Sequence, residues 1–245
     1  MPRLSLRISL LLGLAVLLAG CNSKIKRFDE LTGVQPSQRV GVLPINFLPK
    51  VSAQVYNNAL RFAGTAGRVA VAKADDSTRR KMTEGLEAAQ YFYRQEINRE
   101  LIARLNDDGI KAEFIEFRRS IDNVLGEVPP RRFEKRYPKD AGYDYLLDIY
   151  VEYFGYAAGS VGADYLPTAH VAVRVVDGAS LDPIYESLIQ YNPVSDVEGS
   201  VNLEANADFA YSNVGDLLDD VPRAKEGLKE AVDIVMETLI SELKS

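Results

Sequence analysis

The sequence predicts one α/β domain of the α+β kind, a single mixed sheet packed by two main amphipathic helices. Three observations carry this. Tyr143–Phe154 and Thr168–Tyr191 hold β-branched and aromatic runs that alternate apolar with polar residues, the period of a half-buried strand. Thr83–Leu105 and Pro222–Leu243 repeat apolar residues at three- and four-residue steps, the period of a helix with one buried face. No internal repeat or long low-complexity tract interrupts them. A sheet of about four to six strands is the usual size for such a domain.

Order is expected to begin at Arg39. Val40-Gly41-Val42-Leu43-Pro44-Ile45 is β-rich, and a proline near its end suits a strand finishing where no ladder donor is needed. Asn46–Thr78, rich in Ala, Gly and Asn, reads as irregular, with a short helix around Ala53–Phe62 and a mobile loop at Gly64–Gly67. A loop of that length is either functional or disordered. In Thr83–Leu105 the apolar stripe is Leu86, Ala89, Tyr93, Ile97, Leu101 and Leu105, and Gly109 stands where a left-handed residue ends a helix. Lys111–Phe117 follows as a strand, and Arg118–Ala141 as a charged connection. On Tyr143–Phe154 the residues Tyr145, Leu147, Ile149, Val151 and Tyr153 share one face, with Asp148 and Glu152 on an opposite, wetter one. Gly155–Gly162 reads as a small-residue loop. Thr168–Asp177 points Ala169, Val171, Val173 and Val175 inward, turns at Asp177-Gly178-Ala179-Ser180 and returns as Pro183–Tyr191, a β-hairpin. Glu204–Leu218 reads as a short helix. Asp220 caps the last helix, which has Pro222 in its first turn and the stripe Leu228, Val232, Val235, Leu239 and Leu243.

Residues 1–20 stand apart from this domain. Arg3 and Arg7 precede an apolar run from Ile8 to Ala19, an arrangement that describes an export signal. A membrane-spanning helix needs roughly 20 apolar residues, more than this run supplies. Leu17-Leu18-Ala19-Gly20-Cys21 ends in the chain's one cysteine and resembles the lipobox of bacterial lipoproteins, a leucine and two small residues before the cysteine. That resemblance implies a diacylglycerol on the Cys21 sulfur, cleavage before Cys21, an N-acyl group on the new amine, and an envelope protein facing the periplasm. Asn22 in place of aspartate after the cysteine implies the outer membrane. Ordinary secretion that leaves Cys21 as a free thiol is the other reading. Residues 21–38 then form the lipid anchor and tether, with Lys24, Lys26 and Arg27 close to it, and residues 39–245 form the domain. Acyl chains contribute about 0.8 kcal/mol per buried methylene, so three of them anchor a protein permanently.

Loss of residues 1–20 removes two arginines and no acid, leaving 27 of the 29 basic residues against 35 acidic ones, a net charge of −8. That balance speaks against a nucleic acid or an anionic membrane as the main partner, because both need clustered positive charge. With Cys21 committed to lipid, no internal disulfide forms, and stability has to come from an ordinary core. The chemistry-bearing residues are sparse. His170 is the one histidine and is expected at a surface or an interface, and no Gly-x-Ser-x-Gly elbow accompanies it. Zinc sites of the histidine–cysteine kind are excluded by count. Asp216, Asp219 and Asp220 lack the alternating spacing of an EF-hand loop and fit helix capping better. Gly64-Thr65-Ala66-Gly67 lacks the Gly-Lys-Ser/Thr ending of a phosphate loop. Glu113 with Glu116, or Asp148 with Glu152, are the acid pairs available to a glycosidase-like hydrolase. No cofactor is expected beyond the covalent lipid on Cys21.

Thirteen tyrosines and no tryptophan make the aromatic content unusual. Tyrosine buries area while keeping a polar tip, which suits contact surfaces. Tyr153, Tyr156 and Tyr165 beside the small-residue stretch, with Arg131 and Arg132 in the charged connection, are therefore the candidate interaction residues; roofing an edge of the core is the alternative for the phenols.

Val40-Gly41-Val42-Leu43-Pro44, Asp144-Tyr145-Leu146-Leu147, and Arg174-Val175-Val176-Asp177 with Ile184-Tyr185 resemble the strand motifs of an envelope lipoprotein group. That group includes the curli secretion protein and the lipoprotein activator of penicillin-binding proteins. The resemblance spans roughly Arg39–Tyr191 and implies an α/β domain in the envelope. Two departures stand out. Ser180-Leu181-Asp182-Pro183 replaces the usual Thr-Gly turn, and no amphipathic membrane hairpin is evident. Three functions remain open: a non-catalytic lipoprotein that binds or scaffolds another envelope protein, an oligomeric secretion component, and a carboxylate-dependent hydrolase. For the anchor itself, Cys21→Ser is expected to release the chain from the membrane or leave it unprocessed, read by fractionation and by the mass of its N-terminal peptide. A processed, membrane-bound Cys21→Ser protein would overturn the lipid reading.

Overall fold

The computed structural model describes residues 38–47, 51–57, 64–119, 132–139, 141–194 and 197–244; Cys21, the signal and tether segments and Arg131 lie outside them. The chain forms β1 (Arg39–Val42), β2 (Asn46–Phe47), β3 (Ser52–Asn57), α1 (Gly64–Ala88), α2 (Tyr93–Asp107) and β4 (Lys111–Phe114). It continues with β5 (Tyr145–Ser160), β6 (Leu166–Asp177), β7 (Pro183–Tyr191), β8 (Val201–Leu203), α3 (Val214–Asp219) and α4 (Val221–Lys244). This is the single mixed α/β domain the patterning predicts, with eight strands rather than four to six. The added strands are short pieces, β2, β3 and β8, too brief to show a period of their own.

Strand β5 organises the sheet, whose order is β4-β1-β5-β6-β7-β8. Along one side it pairs in parallel with β1, β2 and β3 in succession: Val42 opposite Leu147, Asn46 opposite Tyr150, Ser52 opposite Gly155. Along the other it pairs antiparallel with β6 from Tyr145–Asp177 to Ala157–Leu166. So Gly155–Ser160, read from sequence as a loop, is strand, and Ala53–Asn57, read as part of a helix, is the strand beside it. Gly64–Gly67, read as a mobile loop, opens α1.

One helical layer covers one face of the sheet. Leu147, Ile149, Val151, Val171, Val173 and Val175 meet Leu228, Val232, Val235, Leu239 and Leu243 of α4 in the main core, as the two periodicities require. Burying each such side chain contributes roughly 1.5–3 kcal/mol. Asp220 caps α4 through its Oδ1, which accepts the Arg223 amide at 3.4 Å. The stripe read across Thr83–Leu105 is also buried at Leu86, Tyr93, Ile97, Leu101 and Leu105, but on two helices. Gln90 adopts φ +57°, and the Tyr91 amide reaches back to the Leu86 carbonyl at 2.8 Å, closing α1 before α2 begins. No glycine or proline marks that break. Gly109 ends α2 at φ +85°, as expected.

The alternation on β5 inverts at a bulge between Val151 and Tyr153. Before it, odd-numbered residues face the helices; after it, Phe154 and Tyr156 do, and Tyr153 turns to the other face beside His170. Gly155 follows at φ +146°, where a Cβ would lie 1.8 Å from the Ser52 carbonyl oxygen. Gly155→Ala is therefore expected to destabilise the domain by about 3 kcal/mol or more in urea unfolding, through strain and displacement of β3. Gly159→Ala, with nothing within 4 Å, should change stability by less than about 1 kcal/mol.

Candidate functional site

The sheet face away from the helices is covered by the connection before β5, and charged side chains converge there. Asp148 is fully buried, which corrects its expected place on a wetter face. Its Oδ1 accepts from Arg119 Nη2 at 2.7 Å, and its Oδ2 from the Glu134 amide at 2.9 Å and the Tyr137 hydroxyl at 3.1 Å. Arg119 also donates from Nε to the Pro44 carbonyl at 2.5 Å and pairs with Glu134 at 3.4 Å. Arg174, opposite Asp148 in the β5–β6 register, pairs with Glu186, donates to the Tyr137 hydroxyl at 3.1 Å, and lies 4.3 Å over the Phe133 ring. Burial, reinforced by the Asp148 charge, pushes the Tyr137 phenol well above its ordinary range, so it stays a hydrogen-bond donor. Removing one partner of such a buried network typically costs about 3–5 kcal/mol.

Beside this network lies an open cleft of about 880 Å³ between Arg132–Lys139 and the β6–β7 turn. Arg132, Lys135, Arg136, Lys139 and Arg174 line it, with Leu181 and Pro183 from the turn. Arg132 pairs with Glu152, whose carboxyl burial pushes up against the pull of that arginine. Among the described residues no acid pairs with Lys135, Arg136 or Lys139.

The remaining sequence candidates are scattered. Glu113 accepts from Arg39 at 2.7 Å and from Tyr143 at 3.1 Å, and the Arg39 guanidinium draws its carboxyl below the usual range; Glu116 is exposed without joining it. Asp148 and Glu152 are each held by a different arginine. Tyr153 and Tyr156, expected at a contact surface, are inside: Tyr153 donates to the Tyr156 carbonyl at 2.6 Å, and Tyr156 to the Ala224 carbonyl at 3.2 Å. They pack the upper part of β5 to both faces because they stand three residues apart on a strand whose side chains alternate. Tyr165 is half-buried and pairs through its backbone with Tyr211. Asp216 accepts from Asn213 and Ser212 at the start of α3. Among the described residues no three His, Cys, Asp or Glu side chains converge as metal ligands.

His170, expected at a surface, is 4% exposed between Tyr153 and Tyr56. Its Nε2 lies 3.1 Å from the Asn192 carbonyl, which only accepts, so Nε2 carries the proton. Asn192 holds φ +60° and donates to Thr168 Oγ1 at 2.6 Å. Asp148 and Arg174 had a usable signal in sequence: one central charge of each sign in two adjacent apolar strands. Arg119, Glu134 and Tyr137 had none, because they reach the sheet from an irregular segment.

No family model matches the chain, and no curated protein matches it. Three solved structures are similar at low level. Protein XCC0632 from Xanthomonas campestris, described by the family name DUF330, is 10% identical with a TM-score of 0.38, over 86% of this chain and 88% of that one. Lipoprotein GNA1162 from Neisseria meningitidis is 14% identical with a TM-score of 0.27, over 66% and 89%. The hypothetical protein CT253 from Chlamydia trachomatis is 12% identical with a TM-score of 0.38, over 84% and 97%. Likeness at these levels carries no functional weight. No described helix is long and apolar enough to cross a membrane.

Burial holds the His170 imidazole below its ordinary value of 6.5, outweighing the Asn192 bond that favours the charged form. The unfolded chain thus binds a proton near pH 6.5 that the folded chain refuses until lower pH. Stability is expected to fall as pH drops below about 6.5, down to the folded value. His170→Phe should flatten that part of the urea-midpoint profile between pH 7 and 5; an unchanged slope would refute the assignment.

Proposed function

We propose that this chain is a periplasm-facing lipoprotein, held to the outer membrane through Cys21, that binds or scaffolds another cell-envelope protein without catalysing a reaction. The observation that carries the reading is the placement of two features at opposite ends of β5. Val40, just after the tether, pairs with Tyr145 at the start of β5, whereas the turn joining β5 to β6 stands at its other end. At about 3.3 Å per residue that turn lies roughly 50 Å from the tether. It carries Val161, 70% exposed, and β3 reaches the same level at Asn57 opposite Ser160. An anchored domain of this kind presents Val161 away from its lipid. A single exposed valine is ordinary on a protein surface; its place at the membrane-distal end is what supports contact there.

The acids offered to a hydrolase support the non-catalytic reading. Asp148 is occupied by Arg119, Tyr137 and the Glu134 amide, Glu152 by Arg132, and Glu113 by Arg39 and Tyr143. None is left as a pair facing a common space. The test is a photo-crosslinking residue at position 161 of the full chain in cells, with position 229 on α4 as the reference. A discrete protein adduct is expected from 161 and not from 229. Val161→Asp should weaken capture by a photo-crosslinker at position 163 about five- to tenfold. Equal adducts from both positions, or none, would overturn the tip as a contact.

A further inference from the structure

The cleft lined by Lys135, Arg136 and Lys139 sits at the opposite, tether-proximal end. Its turn wall is bound to the start of the domain through one residue, Asp144. The Gly178 amide donates to the Asp144 carbonyl at 2.8 Å, the Asp144 amide to the Arg39 carbonyl at 2.9 Å, and the Arg39 amide to Asp144 Oδ2 at 2.7 Å. The tether therefore leaves the domain next to the cleft. Only residues 22–38 stand between Cys21 and Arg39, so this is the end of the domain nearest the anchor along the chain.

We propose that this cleft binds the phosphate of an anionic phospholipid in the membrane that holds the anchor. Charge supplies the first argument. The acids near the network are already committed, Glu134 to Arg119 and Glu186 to Arg174, while Lys135, Arg136 and Lys139 are exposed with no acid among the described residues to neutralise them. Among the described residues the turn adds Asp177 and the exposed Asp182 as opposing charges, and the three cations outnumber these two. Arginine and lysine side chains meet phosphate oxygens with charge-assisted hydrogen bonds, and cations near an anionic bilayer surface each add attraction. Contrast supplies the second argument. The chain carries a net charge of −8 once residues 1–20 are removed, so a local group of cations stands out against it. Such a domain settles with the cleft toward the bilayer and the Val161 tip away from it. Leu181 and Pro183 on the wall give the glycerol part of the headgroup an apolar border. Orientation rests on the Cys21 anchor; headgroup binding does not.

The experiment places the full acylated chain in bilayer discs of phosphatidylcholine, with or without phosphatidylglycerol, and measures acylation of each lysine by an amine-reactive reagent. Lys135 and Lys139 are expected to react at least about fivefold more slowly in the anionic discs, with Lys81 unchanged, and 1 M salt should abolish the difference. In the Arg136→Glu/Lys139→Glu protein, whose changed side chains are exposed, Lys135 should lose its protection. Equal labelling in both discs overturns the proposal. Protection by inorganic phosphate in neutral discs overturns the membrane source, and protection by an acidic peptide but not by phosphatidylglycerol assigns the cleft to a protein. The mass of the Cys21 peptide separates the two readings. Protection by a short-chain phosphatidylglycerol with Cys21 unmodified would sink the anchor and keep the cleft; acylated Cys21 without protection would sink the cleft alone.

Discussion

Strand β5 has to satisfy partners on both edges and both faces over sixteen residues, and most of the molecule follows from how it does so. Its β6 edge is one continuous antiparallel ladder. Its other edge is shared by three short parallel strands, so β1, β2 and β3 are laid end to end along a template they could not form alone. A strand that long would twist one set of side chains steadily out of the core. The bulge after Val151 resets the phase, directing Phe154 and Tyr156 back under the helices and freeing Tyr153 to pack with His170. Gly155 belongs to the same device, since only a residue without Cβ lets Ser52 approach there.

The face opposite the helices shows how a polar surface is made into an interior. Asp148 and Arg174 lie across from each other on neighbouring strands, and the irregular segment before β5 closes over them with Arg119, Glu134 and Tyr137. Each buried charge is matched by an opposite charge and by hydrogen bonds to its remaining oxygens or protons. A network completed to that degree holds a cover in place without extensive apolar packing. It also determines which charges remain. The cations that the network does not use, Lys135, Arg136 and Lys139, are left on the rim, on an otherwise acidic molecule.

Those two faces give the domain a polarity of ends. Arg39, Asp144 and the β6–β7 turn meet at one end, beside the basic rim; the β5–β6 turn and Val161 occupy the other. A lipid on Cys21 would make that polarity directional, holding one end to a membrane and offering the other to the periplasm. The binding reading and the headgroup reading use different ends and different residues, so each stands without the other.

Periodicity determined the elements that bury one clean face, the valines of β6 and the stripe of α4, and end signals determined the glycine that ends α2 and the aspartate that caps α4. In each, neighbours a few residues apart decide the structure, and that information is local. The Leu17–Cys21 motif is local in the same sense. Tertiary structure decided the rest. Ala53–Asn57 became a strand because β5 offers it a ladder, Gly155–Ser160 because β3 and β6 flank it, and Gln90 broke a helix because Tyr91 and Tyr93 are both drawn into the core. His170 was buried by residues distant in sequence, Tyr56, Tyr153 and Asn192, and Asp148 by Arg119 and Glu134. A pairing across thirty or a hundred residues leaves no period in the chain, because the free energy that selects it exists only once both partners are in place.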